Sequence, residues 1–393
     1  MFDIVVIGGG PAGMAAAIAA ANSDPTLKIC IIERNPVLGK KIHATGNGKC
    51  NLSNSHCEEK MEVMRFFDEV GILTKSDEAG RMYPASEQAS DVVAALVNTL
   101  KRLNVTIITE TTPIEITRLT AGFDIKCQNL SLECTKLLLA TGGKAGPQYG
   151  SLGEGYSIAK TLGHHVTRLY PVLSPLECQG SFNSLKGIRA KVNISLEKGD
   201  KTIGIEAGEI QFTEDGVSGI CTFNLSRYLT LDGSLPYEQG LREYDLSIDF
   251  VPNLTIDELF ELLVVRSKKS LEHLDDLLLT IVHQGIARDA LAKANCLDIK
   301  KPSNLTDTDI RNIAYTLKNW KTTIIGVKGW KKAQVTGGGI LTSEINEETM
   351  ESKITPRLFI AGEILNYDGP SGGYNLHFAW LSGIKAGKAM ANV

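Results

Sequence analysis

The sequence predicts an α/β chain: a doubly wound, mostly parallel sheet of the dinucleotide-binding kind, interrupted by an insert of different character. Two distant segments and one change of pattern carry that prediction. Near the N-terminus, Ile4-Val5-Val6-Ile7 runs into Gly8-Gly9-Gly10-Pro11-Ala12-Gly13 and an alanine-rich helix, Met14 to Ala21. Near the C-terminus, Leu358-Phe359-Ile360-Ala361 runs into Gly362-Glu363, and Gly372-Gly373-Tyr374-Asn375 opens a helix over Leu376–Met390. From about 189 to 330 the strand–helix alternation stops. Segments that belong to one sheet but flank such a stretch imply an inserted domain.

Each element has its own reason. Gly8, Gly10 and Gly13 permit a tight turn, a bare backbone against a pyrophosphate and close helix–strand packing, with Pro11 and Ala12 at the phosphate-facing helix start. The next strand, Leu27 to Ile32, ends at Glu33, 20 residues beyond Gly13, where a ribose-binding carboxylate is expected; Arg34 follows it. Val92, Val93, Leu96, Val97 and Leu100 fall at helical spacing over Asp91–Leu103, and Val105–Ile108 reads as a strand. Phe123–Cys127 and Ser131–Cys134 read as a hairpin leading into a separate buried strand, Leu137-Leu138-Leu139-Ala140, closed by Thr141-Gly142-Gly143. Gly153-Glu154-Gly155 opens a helix that ends near Leu162-Gly163.

Between Arg189 and Phe250, short alternating segments punctuated by Gly199-Asp200, Gly208 and Asp215-Gly216 predict a small antiparallel barrel or sheet. After Pro252-Asn253 the pattern turns helical, with starts at Thr255-x-x-Glu258 and Thr306-x-x-Asp309. Helices are expected near 255–267, 273–283, 285–294 and 307–319. The organisation is therefore 1–188 with 331–393 as one discontinuous domain, 189–251 as an inserted barrel-like domain and 252–330 as an inserted helical subdomain. An insert of this kind builds a substrate pocket, since ligand sites favour domain interfaces.

The chain has 393 residues, 43% apolar and 22% charged, which is ordinary for a soluble globular protein. A net charge of −4 argues against a broad nucleic-acid footprint. The run Met14–Ala21 is too short to span a bilayer, and Met1-Phe2-Asp3 enters a strand without a basic leader, so no membrane association and a cytoplasmic location are expected. The eight cysteines include no C-x-x-C, although Cys50 and Cys57 could form a redox pair. With seven histidines and no H-x-x-H or H-x-x-x-H, no metal site is expected.

The residues that carry chemistry converge on one cofactor, FAD. Gly46-Asn47-Gly48-Lys49-Cys50-Asn51 permits close backbone approach, and Lys40, Lys41 and Lys49 can offset pyrophosphate charge. Thr141-Gly142-Gly143 closes a strand beneath the dinucleotide. Glu363 can accept hydrogen bonds from ribityl hydroxyls. Backbone N–H groups at the helix start Gly372-Gly373-Tyr374-Asn375-Leu376 can face the N1/C2 carbonyl edge of the flavin, where negative charge accumulates on reduction. Tyr374 and His377, beside the expected isoalloxazine, are the acid–base candidates. His164 and His165 follow a helix end and are expected to satisfy its last carbonyls.

These motifs resemble the bacterial BaiN/YhiN-type flavoproteins, an aminoacetone-oxidase-like family of NAD(P)/FAD-dependent oxidoreductases. The resemblance spans nearly the whole chain: the glycine turn with Glu33, Gly46–Asn54, Ala140–Gly143, Pro171 to Leu176, Val335–Gly339, and Gly362-Glu363 with Gly372–Asn375. It implies a glutathione-reductase-like FAD-binding Rossmann domain interrupted by a β-barrel and a helical cap. Lys49 stands where many members carry Arg, and an ammonium does not reproduce a guanidinium's bidentate geometry.

The expected activity is transfer of hydride or electrons between flavin N5 and a small organic substrate, with NAD(P)H or dioxygen as the other partner. No second complete G-x-G-x-x-G unit exists, so a nicotinamide co-substrate would bind transiently. The alternatives are a flavin-dependent RNA-modifying enzyme and a non-catalytic flavin-binding sensor or scaffold. Oligomeric state is left open.

Overall fold

The strand Phe2–Ile7 is buried along its second half because it sits inside a sheet, paired in parallel with Ile29–Ile32 on one side and with Ser131–Leu139 on the other. In the computed structural model, which describes residues 1–229 and 237–392, seven strands form this sheet. Their order is Thr106–Ile108, Ile29–Ile32, Phe2–Ile7, Ser131–Leu139, Gly122–Cys127 and Pro113–Leu119, with Leu358–Ile360 also paired to Ser131–Leu139.

Ser131–Leu139 changes partners along its length. Residues 131–134 pair antiparallel with Gly122–Cys127, whereas 137–139 pair in parallel with Leu358–Ile360. The burial follows: its first residues are largely exposed and its last four are buried. The expected hairpin arm and the expected buried strand are thus one continuous strand, and the break between them disappears because 135–136 keep the same ladder against Phe2–Ile7. Pro113–Leu119 was missed: Ile114 and Leu119 stand exposed, so its apolar residues do not mark one buried face.

Ile7 and Ile360 both lie level with Leu139. The turns that follow the three strands, at Gly8, Thr141 and Gly362, therefore leave the same carboxyl edge. In an open α/β sheet that edge is where ligands bind.

Two helices cover the sheet on one path. Pro11–Ser23 and Tyr374–Asn392 cross at contact distance because small residues face each other. A Cβ on Gly383 would lie 2.3 Å from the Ala12 carbonyl oxygen, and one on Gly387 would lie 2.2 Å from that of Ala16. Trp380 is fully buried between Phe66 and Phe67 and donates to the Leu52 carbonyl at 3.1 Å.

The chain divides into two units, Met1–Val172 with Trp330–Val393 and Leu173–Gly329. In the second unit the strands Leu176–Cys178, Gly216–Ser218, Lys201–Phe212, Arg189–Lys198, Tyr244–Asp249 and Trp320–Val327 close a barrel. Closure removes free edges. It also draws in strands on either side of the expected 189–251 range: Leu176–Cys178 joins both Gly216–Ser218 and Trp320–Val327. Phe182, Phe212, Phe250 and Trp320 form its aromatic core. The helices Ile256–Ser267 and Asp307–Lys318 begin at capping boxes on Thr255 and Thr306, and Gln284–Lys293 is the third helix of this group. The helix expected at 273–283 is only a 3₁₀ turn, Leu274–Leu277, and the chain leaves helical geometry at Thr280, whose φ is +69°. Among the described residues no helix is long and apolar enough to cross a membrane.

Adding one methyl group at the helix crossing tests this packing. Gly383→Ala should lower the stability of the full chain by about 1–3 kcal/mol despite the better helix propensity of alanine, because backbone must move to admit the Cβ. Chemical denaturation of the variant beside the parent protein reads the difference.

Candidate dinucleotide site

The glycine turn is built by contact, not by composition alone. Gly8 has φ +109°, and a Cβ on it would sit 2.4 Å from the Ala140 carbonyl oxygen. A Cβ on Gly13 would sit 1.9 Å from the carbonyl of Gly8. Gly10 differs: nothing lies within 4 Å of its Cβ position, so the backbone there faces open space. The helix behind it starts with Pro11, carries no capping side chain and no acid in its first turn. Its first N–H groups are free to meet an anion.

Glu33 is buried, and its carboxylate accepts from the N–H of Gly9 at 2.8 Å, from the N–H of Asn35 at 2.8 Å and from Asn35 Nδ2 at 2.7 Å. That ties the end of the second strand to the glycine turn. Asn35 Oδ1 accepts from Lys40 at 3.3 Å. Arg34 is half-buried and paired with Glu154, at the start of the helix Glu154–Thr161.

The expected roles of Lys41, Lys49 and Glu363 meet other partners. Lys41 donates to Glu363 at 2.7 Å and to the Ala145 carbonyl at 2.9 Å. The other Glu363 oxygen accepts from the Thr336 N–H at 3.0 Å and its hydroxyl at 3.1 Å. The Thr336 hydroxyl in turn accepts from the N–H groups of Lys144 and Ala145, at 2.7 and 2.9 Å. Gly143 is obligatory here, since a Cβ would lie 2.3 Å from Thr336 Oγ1 and 2.8 Å from Glu363 Oε1. Lys41 therefore pairs with Glu363. Lys49 lies on the surface against Glu87, which also holds Lys75 at 2.7 Å. The Lys49 and Lys75 ammoniums hold the Glu87 carboxyl down at about 2.

The loop from Gly46 turns left-handed repeatedly, with φ +56° at Gly46, +54° at Asn47, +85° at Gly48 and +60° at Cys50. Two of these are not glycine, a conformation that the surroundings must impose. Cys50 is fully buried and burial pushes its thiol up to about 11. Cys50 and Cys57 are both free thiols, so no disulfide joins them. Asn51 follows, and its Oδ1 is shut off from solvent without a hydrogen-bond partner, alone in this among the side chains of the described residues.

The C-terminal glycines lie against this segment. Gly372 and Gly373 have φ +118° and +106°, and a Cβ on Gly373 would meet the Ser53 carbonyl at 2.2 Å and Asn51 Oδ1 at 2.8 Å. Asn54 Nδ2 donates to the Gly372 carbonyl at 2.9 Å. Asn375 ties the preceding loop back, accepting from the Gly369 N–H at 2.8 Å and donating to its carbonyl at 2.9 Å. Leu376 packs on the core. Tyr374 is half-buried, and burial followed by the nearby Cys57 raises its phenol.

His377, expected as an acid–base candidate, has its ring engaged within the fold. It is buried, Nε2 donates to the Glu58 carbonyl at 2.8 Å, and Nδ1 accepts from Ser53 Oγ at 2.9 Å. Both ring nitrogens are occupied, and burial pushes its pKa down. His164 meets the expectation through its backbone, its N–H donating to the Ala159 carbonyl in the last turn of Glu154–Thr161 at 3.0 Å, while Glu344 meets His164 Nδ1 at 2.8 Å and the His165 N–H at 3.1 Å. Burial would raise the Glu344 carboxyl, and these hydrogen bonds bring it down instead.

Sequence reasoning missed the small sheet Ser53–Asn54, Thr74–Ser76 and Arg81–Pro84, whose strands are too short for a period to register. It places Arg81, held by Asp77 at 2.7 Å, with its Cγ 3.8 Å from a Cβ position on Gly372. Thr336 was noticed only through its motif.

An open backbone at Gly10 and an uncapped helix start behind it fit the phosphates of a flavin dinucleotide. Site and fold define an FAD-binding Rossmann protein. The chain belongs to the HI0933-like family: it matches the HI0933-like protein Rossmann domain over residues 2–64 and 59–389. It is 32% identical to a 3-dehydro-bile acid delta(4,6)-reductase of Clostridium scindens, over 100% of this chain and 99% of that one. It is 27% identical to a ribosomal RNA dihydrouridine synthase of Escherichia coli, over 97% and 96%. Among solved structures, the 3-ketosteroid delta1-dehydrogenase of Sterolibacterium denitrificans shares the fold at TM-score 0.51 and 12% identity, over 99% of both chains. The resemblance read from the motifs is borne out, and the class is an FAD-dependent oxidoreductase.

His377 makes the stability of this region pH-dependent. Below its ordinary 6.5 the unfolded chain takes up a proton that folded His377 resists, so stability is full above that value and declines as pH falls. Thermal unfolding at pH 7.5 and 5.5 should show a larger loss of Tm for the parent protein than for His377→Gln.

Proposed function

We propose that this protein reduces a carbon–carbon double bond conjugated with a carbonyl on a small organic substrate, taking its electrons from NADH or NADPH through FAD. The observation that carries the reading is the end-to-end relationship, at 32% identity, with a reductase whose named substrate is a dehydro-bile acid. Bound FAD supplies hydride at N5. The residues proposed to hold it are Gly8, Gly10, Pro11, Ala12 and Gly13 at the pyrophosphate, Glu33 and Arg34 towards the ribose, and Asn51 with Gly372–Leu376 at the ring.

In such a reduction the β-carbon gains a hydride, the α-carbon gains a proton, and the double bond becomes single. Tyr374 is the proton donor in this reading. Its phenol is protonated at neutral pH like any tyrosine's, and it stands at the first turn of the helix Tyr374–Asn392. His377 has no free nitrogen for the task. Lys41, Glu363 and Thr336 keep the loop beneath them rigid.

The relationship with a ribosomal RNA dihydrouridine synthase favours a second reading, since the uracil double bond reduced to make dihydrouridine is also conjugated with a carbonyl. The net charge of −4 weighs against a large RNA footprint.

Two anaerobic steps test the proposal. NADH or NADPH should bleach the flavin absorbance, and a conjugated ketone should restore it while its saturated counterpart does not. No bleaching by either nicotinamide removes the nicotinamide-driven reductase. Recovery with ribosomal RNA fragments alone replaces the small-molecule reading by the second. Tyr374→Phe should slow the recovery step by about 10²-fold or more and leave bleaching unchanged.

A further inference from the structure

The turn over residues 77–81 delivers a guanidinium with unused donors beside the start of the last helix. Asp77 Oδ1 accepts from the N–H groups of Ala79 and Arg81, at 3.0 and 2.9 Å, and Oδ2 accepts from Arg81 Nε at 2.7 Å. The acid is thus engaged in shaping the turn and orienting the arginine. Neither Nη group of Arg81 has a hydrogen-bond partner among the described residues, and neither is shut off from solvent. With 37% of the side chain exposed, a ligand can reach them. The Tyr374 hydroxyl is in the same condition, open and unbonded among the described residues. Both side chains meet one point of backbone: a Cβ on Gly372 would lie 3.8 Å from Arg81 Cγ and 3.9 Å from Tyr374 Cε2.

We infer that the Nη groups of Arg81 receive the carbonyl oxygen of the conjugated substrate and hold the negative charge that gathers there. The inference rests on the proposed reaction. When hydride reaches the β-carbon, the π pair of the double bond shifts towards the carbonyl and leaves an enolate, with the charge on oxygen. The α-carbon then takes the Tyr374 proton, the C=O bond re-forms, and the phenolate left behind regains its proton from water. Such a sequence needs a donor at the oxygen as well as an acid at the α-carbon. Oxygen and α-carbon share one carbon neighbour, so the two protein groups must stand close together, as Arg81 and Tyr374 do at Gly372. Lys41 is unavailable, held by Glu363 and the Ala145 carbonyl, and both nitrogens of His377 are taken. Asp77 keeps the resting pair neutral, so an uncharged ketone binds without opposition. The N–H bonds then strengthen as the oxygen becomes anionic, which is where they accelerate the step.

The flavin-loaded full chain tests this first with a ligand that does not turn over. A phenolate is a planar analogue of an enolate, so the oxidised protein should bind 4-cyanophenolate at least about 10-fold more tightly than the corresponding methyl ether, read by calorimetry. Arg81→Met should bind the two within about twofold, and Arg81→Lys, which keeps a cation without the fork, should fall between. In the anaerobic recovery step with a conjugated ketone, Arg81→Met should be slower by about 10²-fold or more, while the half-saturating ketone concentration moves by less than about 10-fold. Equal binding of phenolate and ether by the parent protein overturns the inference without help from any variant. Recovery at the parental rate in Arg81→Met overturns it as well, and leaves the proposed reaction standing. A parent protein whose reduced flavin no conjugated ketone reoxidises removes the reaction, and the inference with it.

Discussion

One strand, Ser131–Leu139, holds the candidate site together by lying between the beginning and the end of the chain. It pairs with Phe2–Ile7 along one edge and with Leu358–Ile360 along the other, and the shared level of Ile7, Leu139 and Ile360 sends three turns out side by side. A slip of one residue on either edge would turn every side chain over and would part Gly8 from Ala140. The helix crossing at Ala12, Ala16, Gly383 and Gly387 locks the same arrangement from one side of the sheet. Packing at this closeness admits no Cβ, so geometry here is set by backbone against backbone.

The charges of the site are arranged economically. Lys41 and Glu363 cancel, with Thr336 filling the remaining valence of the carboxylate. Glu33 is spent on backbone N–H groups and Asn35. Lys40 meets a neutral amide oxygen, Asn35 Oδ1, and the helix start at Pro11 adds a partial positive charge that falls off within a turn.

Much of this was legible in the residues. The glycine turn, Glu33, the strand before Gly362 and the glycine pair before Tyr374 are local signals, each set by a backbone that must come close to something. The partners of long side chains were not. Lys41 and Lys49 looked alike as loop lysines, yet one meets an acid more than three hundred residues away and the other a neighbour on the surface. His377 looked catalytic because of where it stands on its helix, but Glu58 and Ser53 consume both its nitrogens. Barrel closure by Leu176–Cys178 and Trp320–Val327 was hidden for the same reason: pairing between distant segments leaves no period in either one.

The crossing of the first and last helices also dictates when the cradle can come into being. Ala12 meets Gly383 only after everything between them, the barrel unit included, has been made, so the loop to be closed is long. The barrel unit, whose strands and helices all lie within Leu173–Gly329, needs no such wait. Synthesis therefore delivers every strand and helix of Leu173–Gly329 before the residue that completes the helix crossing.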